Sequence, residues 1–162
     1  MVKPRDEFVS LMKDSMKAAA IVAASLREDG FEVEILPSKG ISPNEARRWS
    51  YVDHGDLVVS WGIDKERIEA KKWPNIDFFT LDEIPYADII VDESYKIEKP
   101  GRLPLFAYII VNSSETAYLS IPIWTKGHWF IDTKLDRREG TERAFYFCPK
   151  QYVTINELKR AR

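Results

Sequence analysis

Three ionisable residues interrupt two segments that otherwise look like β-strands, and their types suit metal-assisted cleavage of a phosphodiester. Asp56 precedes the apolar run Leu57–Trp61, and Glu69 and Lys71 stand two residues apart in the next strand-like segment. Residues two apart share one face of a strand, so hairpin pairing would bring the three side chains together. The two carboxylates and the backbone carbonyl of Ala70 offer the oxygen ligands that Mg²⁺ and Mn²⁺ prefer. Lys71 would orient or deprotonate the attacking water, or stabilise the transition state.

This pattern resembles the signature of the PD-(D/E)XK nuclease superfamily, an Asp at the start of one strand and a Glu-x-Lys on the next. The matching segments are Gly55-Asp56-Leu57-Val58-Val59 and Ile68-Glu69-Ala70-Lys71, with twelve residues between Asp56 and Glu69. The resemblance implies that Asp56 and Glu69 hold Mg²⁺ or Mn²⁺ and that Lys71 is the catalytic lysine. The implied enzyme is an endonuclease that hydrolyses duplex or branched DNA, in phage or mobile-element DNA processing.

The resemblance also implies an α/β fold with a restriction-endonuclease-like core, in which a mixed β-sheet is flanked by helices. Small resolvase-like nucleases are the nearest members in character. Two positions depart from the family's pattern. Many members carry a Glu in the first helix, whereas Ala18–Ala23 contains no acid and Asp14 is the nearest substitute. Gly55 stands where the family usually has Pro.

Basic residues near these motifs are candidates for contacts with a DNA backbone. Arg47 and Arg48 precede Asp56, His54 adjoins it, and Lys126 flanks a later loop. Such contacts position a duplex without reading its sequence. Ordinary solvent-exposed side chains explain the same residues equally simply. A chain this short leaves little room for a separate DNA-reading domain, which favours a homodimer.

Composition sets the wider limits. The chain has 162 residues and 44% hydrophobic content, which suits a single domain over residues 1–162. With 24 Lys and Arg against 26 Asp and Glu, the protein is not a uniformly basic nucleic-acid binder. The single cysteine, Cys148, excludes an intrachain disulfide and is predicted to be a buried thiol. No signal peptide or membrane-spanning run is recognisable, so we expect a cytoplasmic protein, in the host cytoplasm if phage-encoded.

Hydrophobic periodicity predicts the elements that position the motifs. An N-terminal amphipathic helix is expected over residues 7–29. Strands are expected over residues 31–36, 56–61, 67–73, 87–91, 106–112, 116–123, 129–133 and 144–147. Short helices are expected at residues 42–45, 80–86 and 154–159, and loops at residues 124–129 and 134–143, the second of them charged and mobile. The order of elements predicts a mixed α/β domain around one sheet.

Two alternatives to the nuclease stay open at this point. Glu69 and Lys71 could be a solvent-facing pair on a half-exposed strand, worth a few tenths of a kcal/mol. The chain could also be a non-catalytic nucleic-acid-binding or assembly protein that keeps a nuclease-like fold without its metal site.

Overall fold

The computed structural model describes residues 17–36, 56–136 and 140–159. A helix, α1, covers residues 17–28 and turns its apolar positions inward; Val22 and Ala23 are fully buried. It ends at Gly30, whose φ of +90° lies in the left-handed region that glycine adopts without strain. The Gly30 N–H donates to the Arg27 carbonyl and the Phe31 N–H to the Leu26 carbonyl, which satisfies the last helical carbonyls in a Schellman motif.

Within the described residues, nine strands follow in two sheets. They are β1 (Glu32–Ile35), β2 (Leu57–Trp61), β3 (Asp64–Lys72), β4 (Asp88–Glu93), β5 (Leu105–Val111), β6 (Ala117–Pro122), β7 (Phe130–Asp136), β8 (Thr141–Pro149) and β9 (Thr154–Glu157). A short helix, α2 (Ser94–Glu98), follows β4, and 3₁₀ turns cover Leu81–Glu83, Ile123–His128 and Lys150–Tyr152.

The larger sheet has the strand order β1-β2-β3-β5-β6-β9, and the smaller has the order β4-β8-β7. Strands β1, β2 and β3 form an antiparallel meander, and β5 then pairs in parallel with β3. All the other described pairings are antiparallel. The fold is therefore α/β with a mixed sheet.

Both faces of the larger sheet are buried, which explains why β5 is apolar at nearly every position. Ile68 and Ala70 of β3 belong to a core shared with α1. Tyr108 and Ile110 of β5 point the other way, into a core shared with the smaller sheet. Each fully buried Ile or Leu contributes about 1.5–3 kcal/mol through the apolar surface it removes from water. The alternation places residue 69, between Ile68 and Ala70, on the face that looks toward the smaller sheet.

Most of the sequence-based strand predictions are confirmed within a few residues, and the described part of the first helix agrees with its predicted helix. The prediction of a short helix at residues 42–45 falls outside the described residues. In the part of the chain that the structure covers, none of the helices is both long and apolar enough to cross a membrane.

Four predictions about elements were wrong. The residues that the structure describes form two sheets rather than one, and residues 154–159 contain a strand, β9, rather than a helix. The predicted loop at residues 124–129 lies largely within the 3₁₀ turn Ile123–His128. The charged run at residues 134–143 is not simply a loop, because β7 and β8 extend into it and pair from Phe130–Phe147 to Asp136–Thr141. Cross-strand pairing holds these charged residues in a hairpin in which residues 130–135 of β7 are all exposed.

Candidate functional site

Hairpin pairing of β2 and β3 brings Asp56 to the Glu69-x-Lys71 segment. Leu57 pairs with Ile68, so Asp56, one residue earlier, stands opposite Glu69. The Asp56 N–H donates to the Ile68 carbonyl at 3.3 Å. The Ala70 N–H donates to Oδ2 of Asp56 at 2.8 Å. The carboxylate of Asp56 is thereby fixed over the backbone between Glu69 and Lys71.

The backbone of Ala70 points toward the same place. The N–H and the C=O of one strand residue project to the same side of the strand. Since the Ala70 N–H is directed at Asp56, its carbonyl oxygen also faces the β2 side. The predicted third oxygen ligand is therefore directed toward the Asp56 side of β3.

Glu69 is held by two arginines. Nη1 of Arg67 and Nη2 of Arg102 each donate to Oε1 of Glu69 at 2.7 Å. All three side chains are largely buried, with exposed fractions of 3% for Arg67, 8% for Arg102 and 15% for Glu69. These are short charge-assisted hydrogen bonds in a poorly hydrated place, where they are stronger than surface pairs. A divalent cation at Glu69 would have to share this carboxylate with them or displace one of them.

Each arginine also donates to one backbone carbonyl, in the loop between α2 and β5 for Arg67 and in α2 itself for Arg102. Nε of Arg67 donates to the Leu103 carbonyl at 3.0 Å, and Nη1 of Arg102 donates to the Lys96 carbonyl at 2.8 Å. The crossover that makes β5 parallel to β3 thus supplies the Arg102 guanidinium and the Leu103 carbonyl that positions the Arg67 side chain.

Lys71 reaches from β3 to β4 of the smaller sheet, where Val91 is fully buried. Its Nζ donates to the Val91 carbonyl of β4 at 2.9 Å and lies 5.9 Å from the centre of the Tyr108 ring. Strand β4 is an edge strand, and its outer backbone groups need partners other than a neighbouring strand. The Lys71 amine provides one, which ties the two sheets together beside Glu69.

Asp92 adds an acidic group next to Lys71. Oδ2 accepts a hydrogen bond of 3.1 Å from the Tyr108 hydroxyl, and Nζ of Lys96 lies 3.9 Å from Oδ1. Burial alone would raise the pKa of Asp92, but Lys71, Lys96, the Glu93 N–H and the Tyr108 hydroxyl outweigh it and hold the pKa below its usual value. Asp92 is therefore an anion at neutral pH.

The negative charge of Asp92 helps to raise the pKa values of Tyr108 and Lys96. Burial and the charges of Asp92 and Glu69 raise the pKa of Tyr108 far above its usual value, so its hydroxyl keeps its proton and donates. Burial would lower the pKa of Lys96, but Asp92, Tyr95, Glu93 and Glu69 raise it on balance, so Lys96 stays cationic. Asp92 thus has two cations, Lys71 and Lys96, and a protonated Tyr108 hydroxyl as neighbours.

Sequence reasoning missed three residues of this site: Arg67, Asp92 and Arg102. Asp92 was a recognisable signal, because it directly follows the apolar run of β4. Arg67 was equally visible as a charge within a strand. Arg102 carried no local signal, since it lies in a loop 33 residues from Glu69 and only the crossover brings them together.

Several of the predicted residues give a different outcome. Asp14, Arg47, Arg48 and His54 lie outside the described residues. Lys126 is exposed in the turn Ile123–His128, and its amine lies 5.9 Å from the centre of the Tyr146 ring, a contact with β8 rather than with the Asp56 hairpin.

Among the described residues, no three His, Cys, Asp or Glu side chains are grouped as a metal site. The candidate oxygen ligands are the carboxylates of Asp56 and Glu69, two residues that stand opposite each other in the hairpin, and the Ala70 carbonyl, which faces β2. That set resembles what Mg²⁺ commonly takes, one or two carboxylates with water completing the shell.

Comparison of the chain with family models, with curated proteins and with solved structures gave no match.

Proposed function

We propose that this protein is a metal-dependent endonuclease that hydrolyses DNA phosphodiester bonds, with Asp56 and Glu69 as ligands of Mg²⁺ or Mn²⁺ and Lys71 as the catalytic lysine. The observation that carries the proposal is the 2.8 Å hydrogen bond from the Ala70 N–H to Asp56. It fixes one carboxylate at the centre of the Glu69-x-Lys71 segment, as a two-carboxylate site with an adjacent amine requires.

The restriction-endonuclease-like core belongs to the same proposal. Helix α1, the antiparallel meander β1-β2-β3 and the parallel pairing of β3 with β5 support it. Parallel strands such as β3 and β5 are usually joined by a long helix. Here the connection contains β4 and the five-residue helix α2 instead. A homodimer and a phage or mobile-element setting complete the proposal, and their basis is the family resemblance.

Each charged residue of the site would have a separate role in the reaction. A bound divalent ion would supply Lewis acidity and a polarised water. Asp56 and Glu69 would hold it, and the Ala70 carbonyl would add a neutral ligand. Arg67 and Arg102 would keep Glu69 ionised and oriented. Lys71 would donate to the phosphate or the attacking water, which requires its amine to turn away from the Val91 carbonyl.

Nicking of supercoiled plasmid and cleavage of a four-way DNA junction, each with Mg²⁺ and with Mn²⁺, test the proposal. Asp56→Asn keeps an oxygen that can accept from the Ala70 N–H, and we expect it and Lys71→Ala to lower the cleavage rate about 10²-fold or more. Asp64→Asn and Lys65→Ala are matched controls at the exposed turn end of the same hairpin, and they should cleave like the parent. Activity that survives both site substitutions would remove the assignment.

A second candidate function is a non-catalytic nucleic-acid-binding or assembly protein. The observation that favours it is the double pairing of Glu69 with Arg67 and Arg102, which neutralises the carboxylate without a metal. On this alternative the parent binds DNA in a gel-shift assay, cleaves neither substrate with either ion, and shows no stabilisation by Mn²⁺ on heating.

A further inference from the structure

A pocket of about 440 Å³ lies beside Lys71, at the end of β3 that leads away from Glu69. This volume falls within the ~300–1,000 Å³ of small-molecule sites. The lining residues that matter are three aromatic residues and three charged ones: Trp73, Tyr86, Phe147, Lys71, Lys134 and Asp88. The pocket draws on both sheets and on the connection before β4.

The aromatic residues are held in place by other rings. Trp73 makes edge contacts with Phe78 at 5.7 Å and with Tyr86 at 5.6 Å between ring centres. Phe147 stacks on Phe130 at 5.5 Å with an interplanar angle of 12°. Rings fixed in this way lose little conformational freedom on binding, so they can receive a flat aromatic ligand at small entropic cost. Tyr86 is 47% exposed and stands at the solvent side.

The charged residues add a second preference. Lys71 and Lys134 line the same pocket and favour an anion, while Asp88 offers a carboxylate that only accepts hydrogen bonds. A flat aromatic group joined to an anion, with an amino group for a carboxylate, is the chemistry of a nucleotide whose base carries an exocyclic amine.

We infer that this pocket binds one unpaired nucleotide of a DNA strand, with the base against Trp73, Tyr86 and Phe147 and the phosphate near Lys71 and Lys134. Asp88 accepts from the exocyclic amine, so cytosine is preferred over thymine or uracil. The inference rests on the proposed function in taking nucleic acid as the substrate.

The position of the pocket gives it a role in substrate choice. Lys71 belongs both to the pocket and to the Glu69-x-Lys71 segment, and two strand residues span roughly 7 Å. An unpaired nucleotide seated there would place the adjoining backbone near Asp56 and Glu69. Substrates with unpaired bases, such as branched or frayed DNA, would then be cut in preference to intact duplex, because their bases enter without the energy needed to unpair them.

Binding of 2′-deoxycytidine 5′-monophosphate and 2′-deoxyuridine 5′-monophosphate, measured by NMR titration and calorimetry in EDTA, tests the inference apart from cleavage. We expect deoxycytidine monophosphate to bind about tenfold more tightly, and Asp88→Asn to reduce that preference. Tyr86→Ala and Lys134→Ala should each weaken binding about fivefold or more. Phe79→Ala and Lys65→Ala, exposed residues of the same types outside the pocket lining, are the controls and should bind like the parent.

The outcomes separate the two proposals. Asp56→Asn is expected to lose cleavage and retain nucleotide binding in EDTA, since Asp56 does not line the pocket. If the parent binds nucleotides in this pattern but cleaves no substrate, the pocket inference is supported and the nuclease proposal is refuted. A parent that cleaves DNA but shows no saturable nucleotide binding overturns the pocket inference. Binding that is unchanged by Tyr86→Ala and Lys134→Ala overturns it as well.

Discussion

Replacing Arg102 by Gln removes one of the two guanidinium groups that share Oε1 of Glu69, and it separates a metal site from a purely structural ion pair. Arg102 and Glu69 are 8% and 15% exposed, and their hydrogen bond is 2.7 Å long. A charge-assisted hydrogen bond of this kind contributes about 1.5–3 kcal/mol. Arg67 still pairs with Glu69 in the variant, so the carboxylate keeps one partner.

We expect the metal-free variant to lose about 2 kcal/mol of unfolding free energy, which corresponds to a fall in Tm of roughly 4–8 °C for a chain of this size. In a metal site, the same guanidinium competes with the divalent ion for Glu69. Its removal should tighten Mn²⁺ binding by a similar free energy, or about 30-fold. Because bound Mn²⁺ stabilises the fold in proportion to the logarithm of its affinity, the deficit should nearly disappear at saturating Mn²⁺.

The assay is thermal unfolding of the parent and Arg102→Gln, followed by circular dichroism at a series of Mn²⁺ concentrations and in EDTA. Arg27→Gln is the matched control, because Arg27 also donates to a backbone carbonyl, that of Val33, and has no described contact with Glu69. Its deficit should be the same with and without the ion. A deficit of Arg102→Gln that Mn²⁺ leaves unchanged would refute the reasoning and favour the structural ion pair.

Three other predictions test the surroundings of the site. Ionised Asp92 stabilises the fold, because its pKa in the folded state lies below the ordinary value of 3.8. The parent has this stabilisation above pH 3.8 and loses it as the pH falls through the folded-state pKa. Asp92→Asn should therefore lose less stability than the parent when Tm is measured from pH 6 to pH 2. Asn112→Ala should lower the free energy of unfolding in urea by about 2–4 kcal/mol, since the buried Asn112 side chain makes hydrogen bonds with Phe78, Thr116 and Ala117. Asn156 is exposed, and Asn156→Ala should stay within about 0.5 kcal/mol of the parent. Cys148 is fully buried and burial raises its pKa, so a thiol reagent should label the native protein far more slowly than the urea-unfolded chain; equal rates would contradict that placement.

The local sequence pattern was enough to predict those elements in which the spacing of apolar residues matches the buried face. Helix α1 repeats its apolar residues at three- and four-residue steps, and Gly30 marks its end because it can adopt a positive φ. The β2–β3 hairpin was equally predictable, since its strands are adjacent in sequence. The approach of Asp56 to Glu69 and Lys71 follows from that hairpin alone.

Elements whose state depends on distant partners could not be predicted in this way. Residues Thr154–Glu157 contain a helix-cap pattern, yet they pair with β6 at the edge of the larger sheet. The charged residues of β7 and β8 are in strands because each supplies the other with backbone partners. In both places, tertiary hydrogen bonding outweighs a local propensity of a few tenths of a kcal/mol per residue.

Part of the candidate site could likewise be predicted from local sequence, and part depends on distant residues. The sequence by itself determined which residues could perform the chemistry, because Asp56, Glu69 and Lys71 lie on one local hairpin. Only the tertiary structure decided their electrostatics. The parallel crossover to β5 brings Arg102 to Glu69, and the docking of the smaller sheet brings Val91 and Asp92 to Lys71. Those contacts join residues up to 33 positions apart, and no periodicity along the chain reports them, because they depend on how two separately formed sheets pack together.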